Sequence, residues 1–203
     1  MAIYSEQFLP RFTDLALGKP MEGTRARVAA GLHGEVLELG FGSGRNLPHA
    51  PAAVTRFLAI DPASVGRKLA AKRIAAAPFP VEWIGSDGAS IPLDDESVDQ
   101  VLVTFSLCTI PDVAQALSEA RRVLRPAGTL HFVEHGRSTD EKVARRQDRL
   151  TPLWGRLFGG CHLNRPMDRL IEEAGLTIRT LQTYKLGSSE TVGFAYEGVA
   201  AKA

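Results

Sequence analysis

The sequence predicts an α/β fold built on a doubly wound, mostly parallel sheet. Three observations predict it. Short apolar, β-branched runs alternate with longer helical patterns. A glycine-rich turn, Glu38-Leu39-Gly40-Phe41-Gly42-Ser43-Gly44, follows the first of those runs directly. An acid, Asp61, closes the second run in Ala59-Ile60-Asp61.

The elements follow in order. Residues 3–17 read as a helix, with Phe8, Phe12 and Leu15 at helical spacing and Pro10 in its first part. Residues 21–32 read as a second helix, opened by Pro20 and closed by Gly34. Residues 35–39 are the first strand and 56–60 the second. Residues 64–77 are rich in alanine and lysine, a composition with high helix propensity. Residues 81–84 form the third strand and 98–105 a buried fourth. Residues 113–124 form a helix that Arg125-Pro126 stops, and 129–134 form the fifth strand. Residues 140–159 are basic and partly amphipathic, with Pro152 inside. Residues 166–174 are helical and end at Gly175. Residues 176–186 and 191–199 read as two strands joined at Gly187-Ser188-Ser189-Glu190. That hairpin adds antiparallel pairing to a parallel sheet.

Length and composition exclude several function classes. At 203 residues the chain suits one domain with a full core. An apolar fraction of 44% against 23% charged residues places it among globular proteins. Lys plus Arg is 24 and Asp plus Glu is 23, so no global basic field for nucleic acid exists. Two cysteines, Cys108 and Cys161, exclude a disulfide scaffold and suit a reducing compartment. No apolar run approaches the roughly 20 residues of a membrane span. The N-terminus, MAIYSEQFLPRF, lacks the apolar stretch of a signal peptide. A cytoplasmic protein is expected.

The glycine turn carries the strongest chemistry. Glycines at alternating positions make a sharp turn and let a ligand approach the backbone. Ligands of doubly wound sheets sit outside the carboxyl ends of the strands, where Asp61 could accept hydrogen bonds from both hydroxyls of a ribose. A dinucleotide loop requires Gly-x-Gly-x-x-Gly. From Gly40 the third position is Arg45, and from Gly42 it is Leu47, so neither register fits. The spacing instead resembles the E/D-x-G-x-G-x-G loop of class I S-adenosylmethionine-dependent methyltransferases. Further segments resemble that family: Gly85-Ser86-Asp87-Gly88-Ala89, then Ile91-Pro92-Leu93-Asp94-Asp95-Glu96-Ser97-Val98-Asp99, then the run from Leu117 to Leu130, where Ala127 replaces a customary glycine. Val133-Glu134-His135, Leu153-Trp154 and Gly159-Gly160-Cys161-His162-Leu163-Asn164-Arg165 look like the alkyl-thiol S-methyltransferases within it. Those proteins carry an N-terminal membrane-anchoring segment that is not read in this sequence.

The resemblance implies a Rossmann-like methyltransferase fold with strand order 3-2-1-4-5-7-6 and S-adenosylmethionine as cofactor. It implies one domain over 1–203: lid helices in 1–33, a cofactor-binding core in 34–135, and acceptor-side helices with a C-terminal hairpin in 136–203. Gly40, Gly42 and Gly44 would border the methionine moiety, with Glu38 positioning its amino group and Asn46 bonding nearby. Asp61 would hold the ribose, with Pro62 beside the adenine. Asp87, Gly88 and Ala89 would meet the adenine edge. Phe105 and Ser106 would floor the methionine end. Tyr4, Phe8, Phe12 and Met21 would form a lid over the cofactor and acceptor. His162 and Arg165 would line the acceptor pocket.

His135 is the candidate base or acceptor-orienting group, because it follows the fifth strand and imidazole titrates near neutrality. Glu134 reads as a loop anchor. Cys161 and Cys108 read as small buried side chains. No metal site is assigned, for want of a defined ligand set around Cys161, His162 and His135. The expected function is methyl transfer to a small-molecule acceptor, preferably a thiol. A phospholipid or amine N-methyltransferase and a non-catalytic cofactor-binding module are the alternatives. Residues 142–165 carry Lys142, Arg145, Arg146, Arg149, Arg156 and Arg165 against Asp148 alone, with Trp154, Leu157 and Phe158 as apolar anchors. They read first as a solvated helix over the acceptor pocket, and second as a peripheral contact with an anionic membrane.

Overall fold

The computed structural model describes residues 18–202. The helix expected over 3–17, with Tyr4, Phe8 and Phe12, lies outside the described residues. Seven strands form one sheet: β1 (Gly34–Leu39), β2 (Val54–Ile60), β3 (Val81–Gly85), β4 (Val98–Thr104), β5 (Leu124–His135), β6 (Leu176–Lys185) and β7 (Phe194–Lys202). Their order is β3-β2-β1-β4-β5-β7-β6, the order expected. The first five run parallel, and β7 pairs antiparallel with both β5 and β6.

Among the described residues, six α-helices accompany the strands: α1 (Glu22–Ala29), α2 (Ser64–Ala76), α3 (Val113–Val123), α4 (Glu141–Leu157), α5 (Met167–Glu173) and α6 (Glu190–Gly193). Side chains alternate across a strand, so each central strand feeds two cores. Leu37, Leu39, Leu58, Ile60, Val101 and Val103 point to a core closed by α3 and α5. Val36, Phe57, Ala59 and Leu102 point to a second, closed by Val28 and Ala29 of α1 and Ala70 of α2. Burial on both faces is why these strands read as continuous apolar runs.

Three local departures have physical causes. β5 starts at Leu124, five residues earlier than expected. The pairing steps from Val98↔Leu124 to Gln100↔Thr129, so residues 125–128 bulge opposite Asp99. Arg125 secures the bulge through ion pairs to Asp99 at 2.8 Å and Glu35 at 2.7 Å. Ala127 takes a φ of +63° there, which explains the glycine customary at this position. Second, residues 141–157 form one continuous helix despite Pro152. Asp140 caps its start by accepting from the Lys142 and Val143 amides. The Thr151 hydroxyl donates to the Gln147 carbonyl beside the proline. Third, the β6–β7 connection holds the short α6, so β7 begins at Phe194 rather than 191. The Leu186 amide donates to the Gly193 carbonyl at 2.7 Å, and a Cβ at Gly193 would sit 2.1 Å from the Leu186 carbonyl oxygen.

Candidate functional site

A cavity of about 580 Å³ opens at the carboxyl ends of β1, β2 and β4. Its size falls in the range of small-molecule sites. The glycine turn forms one wall. Gly40, Gly42 and Gly44 have φ of +76°, +54° and +71°, all left-handed. The turn hangs from β2, with the Gly40 and Phe41 amides both donating to the Ile60 carbonyl. A Cβ at Gly40 would lie 2.0 Å from the Ser106 hydroxyl, and one at Gly66 only 2.6 Å from the Gly42 carbonyl oxygen. The turn leads into a three-residue 3-10 turn at Leu47–His49 rather than a long helix. It therefore presents no helix dipole to a pyrophosphate, the group a dinucleotide would place there.

Asp61 closes the neighbouring wall. One carboxylate oxygen accepts from the Gly42 amide at 2.8 Å and the other from the Ala63 amide at 2.7 Å. Each oxygen keeps a further acceptor site for a ligand hydroxyl. Burial raises the carboxyl pKa above its ordinary value, and the two amides partly offset that. Asp87 is exposed at the rim and accepts from the Ala89 amide at 2.9 Å. Phe105 sits at a φ of +57°, an uncommon conformation for an aromatic residue. It is held there by its amide bond to Val133 and by Glu134, whose buried carboxylate accepts from the Ser106, Leu107 and Cys108 amides. Glu134 is the loop anchor that the sequence suggests.

Of the predicted cofactor residues, Gly40, Gly42, Asp61, Pro62, Asp87, Gly88, Phe105 and Ser106 line this cavity. Glu38, Gly44, Asn46 and Ala89 do not. Gly44 turns against the Phe41 ring. Glu38 and Asn46 are buried beneath the turn, with the Asn46 amide donating to Glu38 at 2.6 Å and to the Thr104 hydroxyl at 2.9 Å. Burial pushes the Glu38 carboxyl up to about 8, against the opposing pull of Arg25 and Asn46. Their place is in the support of the turn.

The acceptor-side expectations need correction. Tyr4 and Phe8 lie outside the described residues, and Met21 is not on the cavity. Arg165 donates to the Leu107 and Ile110 carbonyls, clamping the turn after β4. The His162 amide donates to the Cys108 carbonyl at 2.7 Å. His135 does not line the cavity either. Its Nε2 lies 2.9 Å from the Cys161 sulfur, so the ring faces the cysteine pair and not the cavity. The hydrogen bond between the Cys161 and Cys108 thiols, together with burial, drives the Cys161 thiol pKa well up, which disfavours a thiolate nucleophile.

Sequence reasoning missed several lining residues. Arg25 is buried on α1, donates to Thr104 at 2.7 Å and to Asn46 at 3.1 Å, and stands 5.6 Å from the Phe105 ring centre. Gly66 supplies the close helix approach under the turn. Ile110, Pro111, Phe158 and Gly159 complete the lining. Phe158 and Gly159 stand in segments already notable in the sequence; Arg25 carries no local signal.

Residues 37–132 match the family model described as a methyltransferase domain. The chain is 32% identical over 193 residues to thiol S-methyltransferase TMT1A of Homo sapiens, covering 86% of this chain and 76% of that protein. It is 32% identical over 160 residues to thiol S-methyltransferase TMT1B of Rattus norvegicus, covering 77% of this chain. It spans 63% of that relative, less than two thirds of its length. A solved SAM-dependent methyltransferase of Methanosarcina mazei superposes with a TM-score of 0.64 at 20% identity, over 83% of this chain and 92% of the other.

Proposed function

The chain belongs to the thiol S-methyltransferase family and is an S-adenosylmethionine-dependent methyltransferase; from that premise we propose that its acceptor is a small thiol. One observation carries the proposal. The likeness to the human relative covers 86% of the chain, so it extends well beyond residues 37–132 into the acceptor side.

The cavity supports this reading chemically. Bound S-adenosylmethionine supplies a methyl group on a positively charged sulfur, with a neutral thioether as leaving group. The chain has to bind, orient and dehydrate. Asp61 would receive the ribose hydroxyls. Gly40 and Gly42 would give the methionine moiety access to the backbone, and Arg25 would pair with its carboxylate. Asp87 would meet the adenine edge. Phe105 and Ser106 would position the methyl end. Among the described residues, Thr109, Ile110, Pro111, Phe158 and Gly159 also line the cavity and bring no acid or base. An acceptor bound there has to ionise largely by itself. A thiol near pKa 8.5 does so at neutral pH to a useful extent, whereas an alcohol or phenol needs a base.

The test is calorimetric titration with S-adenosylmethionine, followed by release of S-adenosylhomocysteine over a panel of thiols, amines and phenols. Thiol-dependent release with a pH profile that follows each thiol's own pKa is the expected result. Release with phenols alone overturns it. A lipid-amine acceptor is the second reading, favoured by one observation: α4 exposes Leu153 at 56% and Leu157 at 49% among its arginines. No helix among the described residues is long and apolar enough to cross a membrane. Salt-sensitive sedimentation with anionic vesicles, lost in Leu153→Ser/Leu157→Ser, would favour that reading.

A further inference from the structure

The fold assembles a side-chain cluster that methyl transfer does not use. Cys108 follows β4, His135 ends β5 and Cys161 follows α4. Their potential ligand atoms all lie within 4.8 Å of one another. Both cysteines are free and buried, at 2% and 7% exposure. His135 directs Nε2 at the Cys161 sulfur from 2.9 Å, while its Nδ1 is shut off from solvent and has no hydrogen-bond partner. The surrounding backbone is fixed. The Cys108 amide donates to Glu134, and its carbonyl accepts from the His162 amide at 2.7 Å. Arg165 ties the same loop to the turn after β4. The thiols alone would pack as small apolar groups, but an imidazole with a buried, unsatisfied Nδ1 beside them is costly for packing alone.

We propose that Cys108, His135 and Cys161 form a site for a thiophilic metal ion of the zinc class. Two thiolates and one imidazole are soft and borderline donors, which select such ions over magnesium or calcium. Tetrahedral zinc takes sulfur at about 2.3 Å and nitrogen at about 2.0 Å, giving ligand–ligand separations of roughly 3.5–3.8 Å. Side chains within 4.8 Å of one another reach that geometry by small rotations. Uptake releases the two thiol protons to solvent as the two metal–sulfur bonds form. Three protein ligands leave the fourth position to water. Cys108 lies between Ser106 and Thr109, and Cys161 two residues beyond Gly159; Ser106, Thr109 and Gly159 line the cavity, with the cysteines behind them. A bound ion therefore pins the loop after α4 to the strand ends at the acceptor end of the cavity. The inference stands on donor geometry and does not depend on the acceptor's identity.

The test uses the reduced full-length chain with Co²⁺ as a spectroscopic probe. One equivalent is expected to produce a thiolate-to-cobalt charge-transfer band in the near ultraviolet, displaced by Zn²⁺. Zn²⁺ should also slow the reaction of both thiols with a disulfide reagent, a readout that needs no variant. Cys108→Ser, Cys161→Ser and His135→Gln should each weaken Co²⁺ binding at least tenfold. Circular dichroism and S-adenosylmethionine titration of each variant separate lost folding from lost ligation. Absence of the band at one equivalent, or its persistence in both cysteine variants, overturns the proposal. Air oxidation to a Cys108–Cys161 disulfide with no metal uptake also overturns it, in favour of a redox pair. Failure of the cofactor titration alone bears on the methyltransferase reading instead.

Discussion

At the scale of single residues, Asp61 offers the sharpest test. Its carboxylate fastens the Gly42 and Ala63 amides and keeps an acceptor site on each oxygen. Asp61→Ala removes charged hydrogen bonds on the order of 1.5–3 kcal/mol, so S-adenosylmethionine affinity should fall about 10- to 100-fold by calorimetry. Unchanged affinity would remove Asp61 from the ribose role. Asp61 was legible because a strand-end acid after a glycine turn is a pattern of residue types in sequence. Arg25 was not, because its partners Asn46 and Thr104 lie 21 and 79 residues away. His135 shows the same limit from the other side. Its place beyond β5 could be read, but its partner, Cys161, is 26 residues on and is met only in the folded chain.

At the scale of elements, two glycines in helices make opposite predictions. Gly66 lies in the first turn of α2, where a Cβ would come within 2.6 Å of the Gly42 carbonyl oxygen. Gly23 lies in the first turn of α1, exposed, with nothing within 4 Å of the added atom. Alanine improves an exposed helix position by roughly 0.5–1 kcal/mol over glycine. Gly23→Ala should therefore raise the melting temperature by a few degrees. Gly66→Ala should lower it and also weaken cofactor binding, because the obstructing atom is backbone of the turn and cannot rotate away. Equal effects of the two substitutions in a thermal-shift series would contradict this account. Element existence and strand order were readable from periodicity. The displaced boundaries were not, because each rests on a tertiary event: the four-residue bulge against Asp99, and the packing of Gly193 on Leu186.

At the scale of the whole molecule, Glu38 links the site's support to the stability of the fold. It is buried beneath the glycine turn, one oxygen accepting from Asn46 and the other without a partner. Burial raises its pKa to about 8 from an ordinary 4.5. The folded state thus holds a proton that the unfolded chain releases near pH 4.5. That contribution is fully present below the unfolded pKa and is lost as pH rises towards the folded pKa. Between pH 6 and 8 about 2–3 kcal/mol of it is lost. Other groups titrate too. Glu35 and Asp99 have lowered pKa values, so they lose stability only at acid pH, while His131 is held low and gains stability as pH rises towards its ordinary value, levelling off beyond it. The difference between wild type and Glu38→Gln isolates the one carboxyl. Glutamine mimics the protonated acid and keeps an oxygen for the Asn46 amide. The variant should match wild type below about pH 4, and its advantage in chemical denaturation should grow with pH, by about a further 2–3 kcal/mol between pH 6 and pH 8, in the cofactor-free protein. A difference that does not change with pH would mean that Glu38 is ionised in the folded protein. The positively charged Arg25 beside it would then be its partner across the base of the cavity, and the turn would rest on an ion pair instead of a neutral hydrogen-bond network.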